Sequence, residues 1–560
     1  MTSFHGLRAF CGESWGRLGA RFGAAWVLCG ALSCGLPTAE AQESVPGLEA
    51  LAERVAALEA ENARLQQQIR SLPAVSDSTT PTLTAPTLWQ EPDSGNAEIR
   101  AEIERYFEEK EAAAKAKEQE EKDKAKEEGY EVGSDLTMTA KWNNGLELST
   151  KNKDFRVHVG GRTQFDTSWF SANQNVQDNI NVPYQDGVDF RRARLRVDGT
   201  MYEQIEWAAE YDFVNAIRVR NNQGSGPFDT GVTALTDLWW TIKDTPWLGN
   251  IRIGNQKEQI GFEHIVSSRF LPFMERSYNQ DSFYGGSYNG FQPGIQLLNT
   301  YGEERGCWAL GLFKPTDNVF EFNATDGDYA VVGRLTRLLR YENEGAEVLH
   351  VGVSGKQTKN VDGRIRFRTR DAIRAGIASV WPIPADTGVI VGDDMQWINA
   401  ELAAVRGPWT LQGEYLVSNL HNAQLQSALA GPVVDNLQYD GGYLQLLYFL
   451  TGEHDEYNRK TGVFERVTPR ENFFRVKTTD GPQTGLGAWQ LGARYNYLDL
   501  NDDLINGGIL HNGTFGINWF LNPNMKIQAN YMMTYRDAAL QNDAGDGWIN
   551  GWGIRFAHDF

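Results

Sequence analysis

The chain has 560 residues, of which 41% are hydrophobic and 11% aromatic, with 57 glycines, a mean hydropathy of −0.47 and a formal net charge of −20. This acidic balance argues against nucleic acid as a partner, because phosphate backbones are bound by net basic surfaces. No uninterrupted apolar run reaches the roughly 18 residues that a membrane helix needs.

At the N-terminus, Arg8, Arg17 and Arg21 precede the apolar stretch from Phe22 to Leu36, and Ala39-Glu40-Ala41 supplies a small-x-small cleavage pattern. Residues 1–41 are therefore predicted to be a signal peptide. The rival, a lipoprotein cut before Cys34, is disfavoured because Ala31 stands where a leucine is expected. Cys11, Cys29 and Cys34 fall inside the signal, so the mature chain keeps Cys307 alone and has neither a disulfide framework nor a cysteine metal site.

Residues 42–72 carry a heptad seam, with Leu48, Val55, Asn62 and Ile69 at a and Leu51, Leu58, Leu65 and Leu72 at d. A short parallel coiled coil is expected, with Asn62 setting register. The alternative is one amphipathic helix packed on the protein's own core, but Pro73 and the Pro/Thr/Ser-rich linker over 73–96 isolate the segment. Residues 97–133, which include E-A-A-A-K at 111–115, read as a solvated helical or disordered charged arm.

After Ser134 the chain becomes aromatic, glycine-punctuated and alternating. Trp489, Leu491, Ala493, Tyr495 and Tyr497 share one parity, as do Phe515, Ile517, Trp519 and Leu521, and then Ile527, Ala529, Tyr531, Met533 and Tyr535. Polar residues such as Gln490, Arg494, Asn518 and Asn530 lie between them. Asn522-Pro523-Asn524 is a short turn and 537–547 a long polar one, the alternation expected of a membrane barrel with short turns at one end and long loops at the other. The chain closes on Trp552, Ile554, Phe556, His558 and terminal Phe560. A soluble β-sandwich could also alternate, but the signal, the aromatic strands and the last phenylalanine favour the membrane. The predicted fold over 134–560 is an all-β transmembrane barrel of about sixteen antiparallel strands, enough for a water-filled lumen.

Arginine recurs on one parity at Arg364, Arg366, Arg368, Arg370 and Arg374, and again at Arg192, Arg194 and Arg196. A lipid-facing arginine near mid-membrane costs about 2–4 kcal/mol, so these side chains must face the lumen or lie outside the hydrocarbon band. Ile365 and Phe367 could then meet lipid on the opposite face. A row of guanidinium groups suits an anion that is held and passed on. Two bland alternatives are a surface patch for lipopolysaccharide phosphates and wall arginines paired with carboxylates. Gly355-Lys356 fails as a phosphate loop, because His350 replaces the first glycine and Gln357 the Ser/Thr. Glu453-His454-Asp455-Glu456 is a poor metal motif, since adjacent loop residues seldom converge on one ion.

Several ordered stretches resemble the phosphate-selective porin O/P family across residues 135–560. They are G-G-R-T-Q-F-D at 160–166, D-F-R-R-A-R-L-R-V-D-G-T at 189–200, E-Y-D-F at 210–213 and G-N-Q-K-E-Q-I-G-F-E at 254–263. S-S-R-F-L-P-F-M-E-R-S at 267–277, R-F-R-T-R at 366–370, Y-F-L-T-G-E and Y-N-R-K-T-G-V-F complete the set. The resemblance implies a trimeric sixteen-stranded barrel with inward-folded loops and an arginine ladder. By motif the ladder would comprise Arg162, Arg191, Arg192, Arg366, Arg368 and Arg370, with Arg374 an extension; Arg269 and Lys460 also fall in matching motifs.

The functional expectation is an outer-membrane porin passing phosphate, polyphosphate or other anions, without a cofactor and without chemistry. Expected partners are two further copies of the chain, outer-membrane lipid and, through a periplasmic N-terminal arm, the cell wall. The heptad pattern leans toward two strands rather than three, and the larger barrel interface favours the trimer. Rival readings are a general diffusion porin whose arginines are neutralised by Glu401, Glu414 or Asp212, and a structural tether from the outer membrane to the wall. No acid/base or nucleophile constellation supports an enzyme.

Overall fold

The computed structural model describes residues 130–560 apart from 220–229, 285–289, 316–326, 328, 360–363, 375–380, 426–432, 475, 479–480 and 539–543. The expected signal peptide, the seam from Leu48 to Leu72, the linker and most of the arm lie outside the described residues.

A hairpin of β1 (Met138–Trp142) and β2 (Leu146–Thr150) precedes sixteen long strands. These are β3 (Arg156–Ala172), β4 (Gly187–Met201), β5 (Ile205–Val219), β6 (Thr230–Thr245), β7 (Gly249–Lys257), β8 (Phe291–Tyr301), β9 (Gly306–Phe313) and β10 (Tyr329–Glu342). They continue with β11 (Glu347–Lys359), β12 (Asp394–Arg406), β13 (Trp409–Leu425), β14 (Val433–Phe449), β15 (Ala488–Asp502), β16 (Ile505–Asn522), β17 (Met525–Asp537) and β18 (Gly547–Asp559). Each pairs antiparallel with the next, and β18 returns to β3 with Trp552 opposite Trp169. Closure leaves no strand edge unpaired in a medium that offers no hydrogen bonds.

Alternation dictates which face is which. On β15, Leu491 and Tyr495 are 39% and 51% exposed, while the intervening Gln490, Arg494 and Asn496 are buried. Phe515, Ile517, Trp548, Trp552 and Phe556 are likewise exposed. A water-soluble sandwich would show the reverse, so the apolar exterior is a lipid-facing belt. Trp489 stacks on Trp519 at one rim, with ring centroids 5.0 Å apart, and Tyr535 meets Trp548 at the other, 5.1 Å apart. The last residue is built into the seam: the Phe560 N–H donates to Gly161 O at 3.1 Å, and the Gly161 N–H donates to Phe560 O at 2.7 Å. A Cβ at Gly161 would stand 2.6 Å from Arg194 O and 2.8 Å from the Phe560 ring, so only glycine fits there.

The two rims differ less simply than alternating short turns and long loops. Tight turns at 202–204, 246–248, 302–305, 343–346, 407–408 and 523–524 share one end, with long connections such as 173–186, 258–290 and 360–393 at the other. Two connections break the rule: 450–487 is long at the short-turn end, and 503–504 is tight at the long-loop end. The long exception folds back into the lumen. Its Tyr457, Val463 and Phe464 pack against Phe262, Val266 and Leu271 of the 258–290 segment and against Leu338, Val348, Ala403 and Val405 of the wall.

The core therefore lies inside the barrel. Segments 258–290 and 360–393 enter from the long-loop end and 450–487 from the other. Phe367 is 2% exposed and packs with Phe283, Tyr439 and Leu416, which corrects the expectation that it meets lipid. The arginine row is not a wall strand. It belongs to an inward loop with two short bridges, Arg364–Ile365 with Ile390–Val391 and Arg368–Thr369 with Ala385–Asp386, and its apolar parity is buried in the lumen.

Candidate functional site: an arginine and carboxylate web in the lumen

On the wall, Arg162 and Arg194 are register partners across β3 and β4. Arg162 Nη2 lies 2.7 Å from Glu210 Oε1; Arg194 reaches the same oxygen at 2.9 Å and Asp212 Oδ2 at 2.7 Å. One turn of alternation further along β4, the register jumps by a residue: Gln164 faces Arg192, and Phe165 faces Phe190. Arg191 is the extra residue of this bulge, which is why two consecutive arginines both turn inward, at 4% and 3% exposure.

Both bulge arginines approach Glu275 of the 258–290 segment. Arg191 makes a bidentate pair, Nε–Oε1 at 2.7 Å and Nη2–Oε2 at 3.0 Å, and Arg192 donates to Gln164 Oε1 at 2.7 Å with its other nitrogen 3.9 Å from Glu275. Arg555 of β18, fully buried, reaches Glu275 at 2.9 Å and Asp166 at 2.6 Å. Arg374 of the arginine loop comes within 3.7 Å of Glu275 and 3.5 Å of Asp281. Arg370 forks onto Asp281, with Nε 2.7 Å from Oδ2. Glu275, Asp281 and Asp166 thus serve five arginines drawn from two wall strands and one loop. Trp381 lies among three of them, its ring 5.2 Å from Arg191, 4.8 Å from Arg370 and 5.7 Å from Arg374. Burial pushes the Glu275 carboxyl up, but Arg191 and Arg374 hold it well below the usual carboxylate range. Asp281 behaves alike against Arg370 and Arg374. Burial lowers the Arg374 guanidinium to about 10, which leaves it charged at neutral pH.

The remaining predicted positions separate. Arg366 forks onto Asp386, with Nε 2.8 Å from Oδ1, and is more open than Arg370. Arg368 makes no ion pair among the described residues. Arg364 contributes a backbone bridge to Val391, and its side chain lies outside the described residues. Lys460 sits at the exposed tip of the 457–464 hairpin, whose neighbouring Arg459 caps Glu303 O in the 302–305 turn, so it does not join the arginines. Arg269 stands 3.3 Å from Asp559 near the short-turn rim.

Several residues of the candidate site had no assigned role in the sequence. Glu275 stands in F-M-E-R-S, but only the fold brings it 84 positions along the chain to Arg191. Lys257 and Arg276 point into the same segment and donate to main-chain oxygens: Lys257 to His264 O at 2.5 Å, Arg276 to Glu263 O at 2.9 Å and Val266 O at 2.5 Å. Neither is in an ion pair among the described residues. On the far wall, Arg334 pairs with Glu401 at 2.9 Å and donates to Thr461 O and Gly462 O, seating the hairpin. A cavity of about 70 Å³, lined in part by Tyr184, Asp186, Arg370, Arg374 and Trp381, opens beside the web on the long-loop side. That is room for several waters or one small oxyanion.

The model of the family described as phosphate-selective porin O and P matches residues 157–560, and the chain belongs to that family. Porin O of Pseudomonas aeruginosa is 26% identical over 454 residues, covering 74% of this chain and 92% of that protein. An uncharacterized Caulobacter vibrioides protein is 26% identical over 437 residues, covering 75% and 76%. Among solved structures, OmpT of Vibrio cholerae in a trimer form covers 72% of this chain and 99% of its own at 11% identity and a TM-score of 0.40. An anion-selective porin from Comamonas acidovorans covers 72% and 100% at 10% and 0.39.

Proposed function

We propose that this phosphate-selective porin O and P family member is a passive outer-membrane channel that selects anions of the phosphate or polyphosphate class through the arginine web, working as a homotrimer with its N-terminal arm in the periplasm. The observation that carries the reading is the surplus in the web: five guanidinium groups share three carboxylates in ion pairs, and three of the five pack on Trp381. Arginine stays charged at any physiological pH and presents paired donors that match an oxyanion. An anion entering through the long-loop mouth would meet Arg366 and Arg368 and then Arg370 and Arg374, with Arg191, Arg192 and Arg555 buried behind them and adding to the positive potential. Several weaker sites in series let an ion replace part of its hydration shell without being trapped. The buried carboxylates hold the guanidiniums in place and keep their combined attraction moderate. Lys460 would act as a mouth charge at the short-turn rim.

The wall pairs favour a second reading, a general diffusion porin. Arg194 is neutralised by Asp212 and Glu210, and Arg334 by Glu401. Reversal potentials in a salt gradient across a planar bilayer separate the two. Anion preference with phosphate block of chloride current is expected, whereas neutral or cation-preferring conductance without block would replace the first reading with the second.

A further inference from the structure

We propose that Asp371 is the positioning residue of the arginine loop: a carboxylate clasped by hydroxyls from three separate elements, which holds Arg370 and Arg374 beside Trp381 and keeps itself away from them. This rests on the anion-channel reading for its functional consequence, though not for its geometry.

Asp371 is 2% exposed and lies between the two arginines in sequence, yet it is in no ion pair among the described residues. Its Oδ1 accepts from Tyr278 Oη at 2.9 Å and Thr534 Oγ1 at 2.9 Å, and its Oδ2 accepts from Tyr184 Oη. Tyr184 belongs to the 173–186 connection, Tyr278 to the 258–290 segment and Thr534 to wall strand β17. All three are buried, at 7%, 2% and 0% exposure. Glu275, Asp281, Asp166, Glu210, Asp212 and Glu401 all sit on guanidiniums, whereas Asp371, like the buried Glu414 and Asp455 elsewhere in the lumen, is held by uncharged donors. Three donors satisfy a buried carboxylate without a cation.

The arrangement has two effects. The main chain at 371 is fixed to three elements at once, and Arg374 Nε donates to Asp371 O at 2.9 Å, so the clasp sets where Arg374 projects. Moreover, a carboxylate turned toward Arg370 or Arg374 would cancel the surplus that attracts an anion. The hydroxyls occupy its oxygens and keep it out of ion pairs with them, leaving those two arginines to share Asp281 and Glu275.

The test uses the full-length protein in bilayers and in detergent, with inorganic phosphate as the probe. Asp371→Asn removes the charge, and Tyr278→Phe removes one hydroxyl while keeping the ring, which guards against a variant that fails to assemble. In both variants the phosphate concentration that halves chloride current should rise about tenfold, as loss of one charged hydrogen bond implies. Hydrogen exchange of the amides at 366–374, read by mass spectrometry, should quicken by a similar factor. Unchanged exchange in both variants would overturn the clasp. Faster exchange with unchanged phosphate block would overturn its role in positioning. If the wild-type channel shows neither anion preference nor phosphate block, the anion-channel reading fails, and the exchange rates alone then decide the clasp.

Discussion

Glu275 Oε1 lies 2.7 Å from Arg191 Nε, joining the 258–290 segment to the bulge of β4, and the same carboxylate is shared with Arg192, Arg374 and Arg555. One negative charge therefore anchors a plug and is shared among four positive ones.

Glu275→Gln keeps the shape and removes that charge. The reversal potential in a potassium chloride gradient should move further toward the anion limit. The cost is local: leaving buried guanidiniums without their partner destabilises the segment by about 3–5 kcal/mol. A reversal potential that stays put, or moves toward cations, would contradict the surplus argument.

Replacing Arg366, Arg368 and Arg370 together by alanine strips the loop of three guanidiniums while sparing the wall. Anion preference and phosphate block should both weaken in single-channel recordings, and the half-blocking phosphate concentration should rise at least about tenfold, the effect of 1.4 kcal/mol. Selectivity equal to wild type would show that the wall web alone discriminates.

Arg334→Ala removes the clamp on Thr461 O and Gly462 O and leaves Glu401 buried without its cation. Undocking of the 457–464 hairpin should become easier by about 3–5 kcal/mol. Limited proteolysis within 450–487 reports it: cleavage should accelerate strongly in the variant while the barrel strands remain protected. Equal cleavage rates would mean that the apolar packing of Tyr457 and Phe464 suffices.

Asp455, in the same segment, has its carboxyl pushed up to about 6 by burial against an ordinary 3.8. An undocked segment releases that proton earlier than a docked one does. Docking is thus fully favoured below the ordinary value and loses this contribution as pH rises through about 4 to about 6. Cleavage within 450–487 should increase over that window in wild type. Asp455→Asn should flatten the dependence, and a slope of the opposite sign would refute the assignment.

Much of the barrel was legible because a membrane strand must alternate. Leu491, Tyr495, Phe515, Ile517, Trp552 and Phe556 all lie outward as their parity requires. The arginine row read as one face of a strand, and that parity survives, but its burial sense does not follow from the membrane rule: Phe367 faces packed protein inside the lumen instead of lipid. No local signal announced the 450–487 plug, since a long polar connection looks the same whether it hangs free or turns inward. The bulge at Arg191 is likewise invisible to a period-of-two reading, because one inserted residue shifts parity without changing composition. The carboxylate partners were least accessible. Glu275 and Asp281 lie some 80 to 90 positions from Arg191 and Arg370, and only three-dimensional closure sets one against the other.

The ring of Phe262, from the segment entering at one mouth, stands 5.0 Å from that of Phe464, from the segment entering at the other, and 5.1 Å from His350 on the wall between them. Opposing stoppers that touch cannot be withdrawn independently. Shrinking Phe464 should therefore alter how solutes on the far side gain access, making the tube a mechanically continuous object in which either entrance senses the condition of the other.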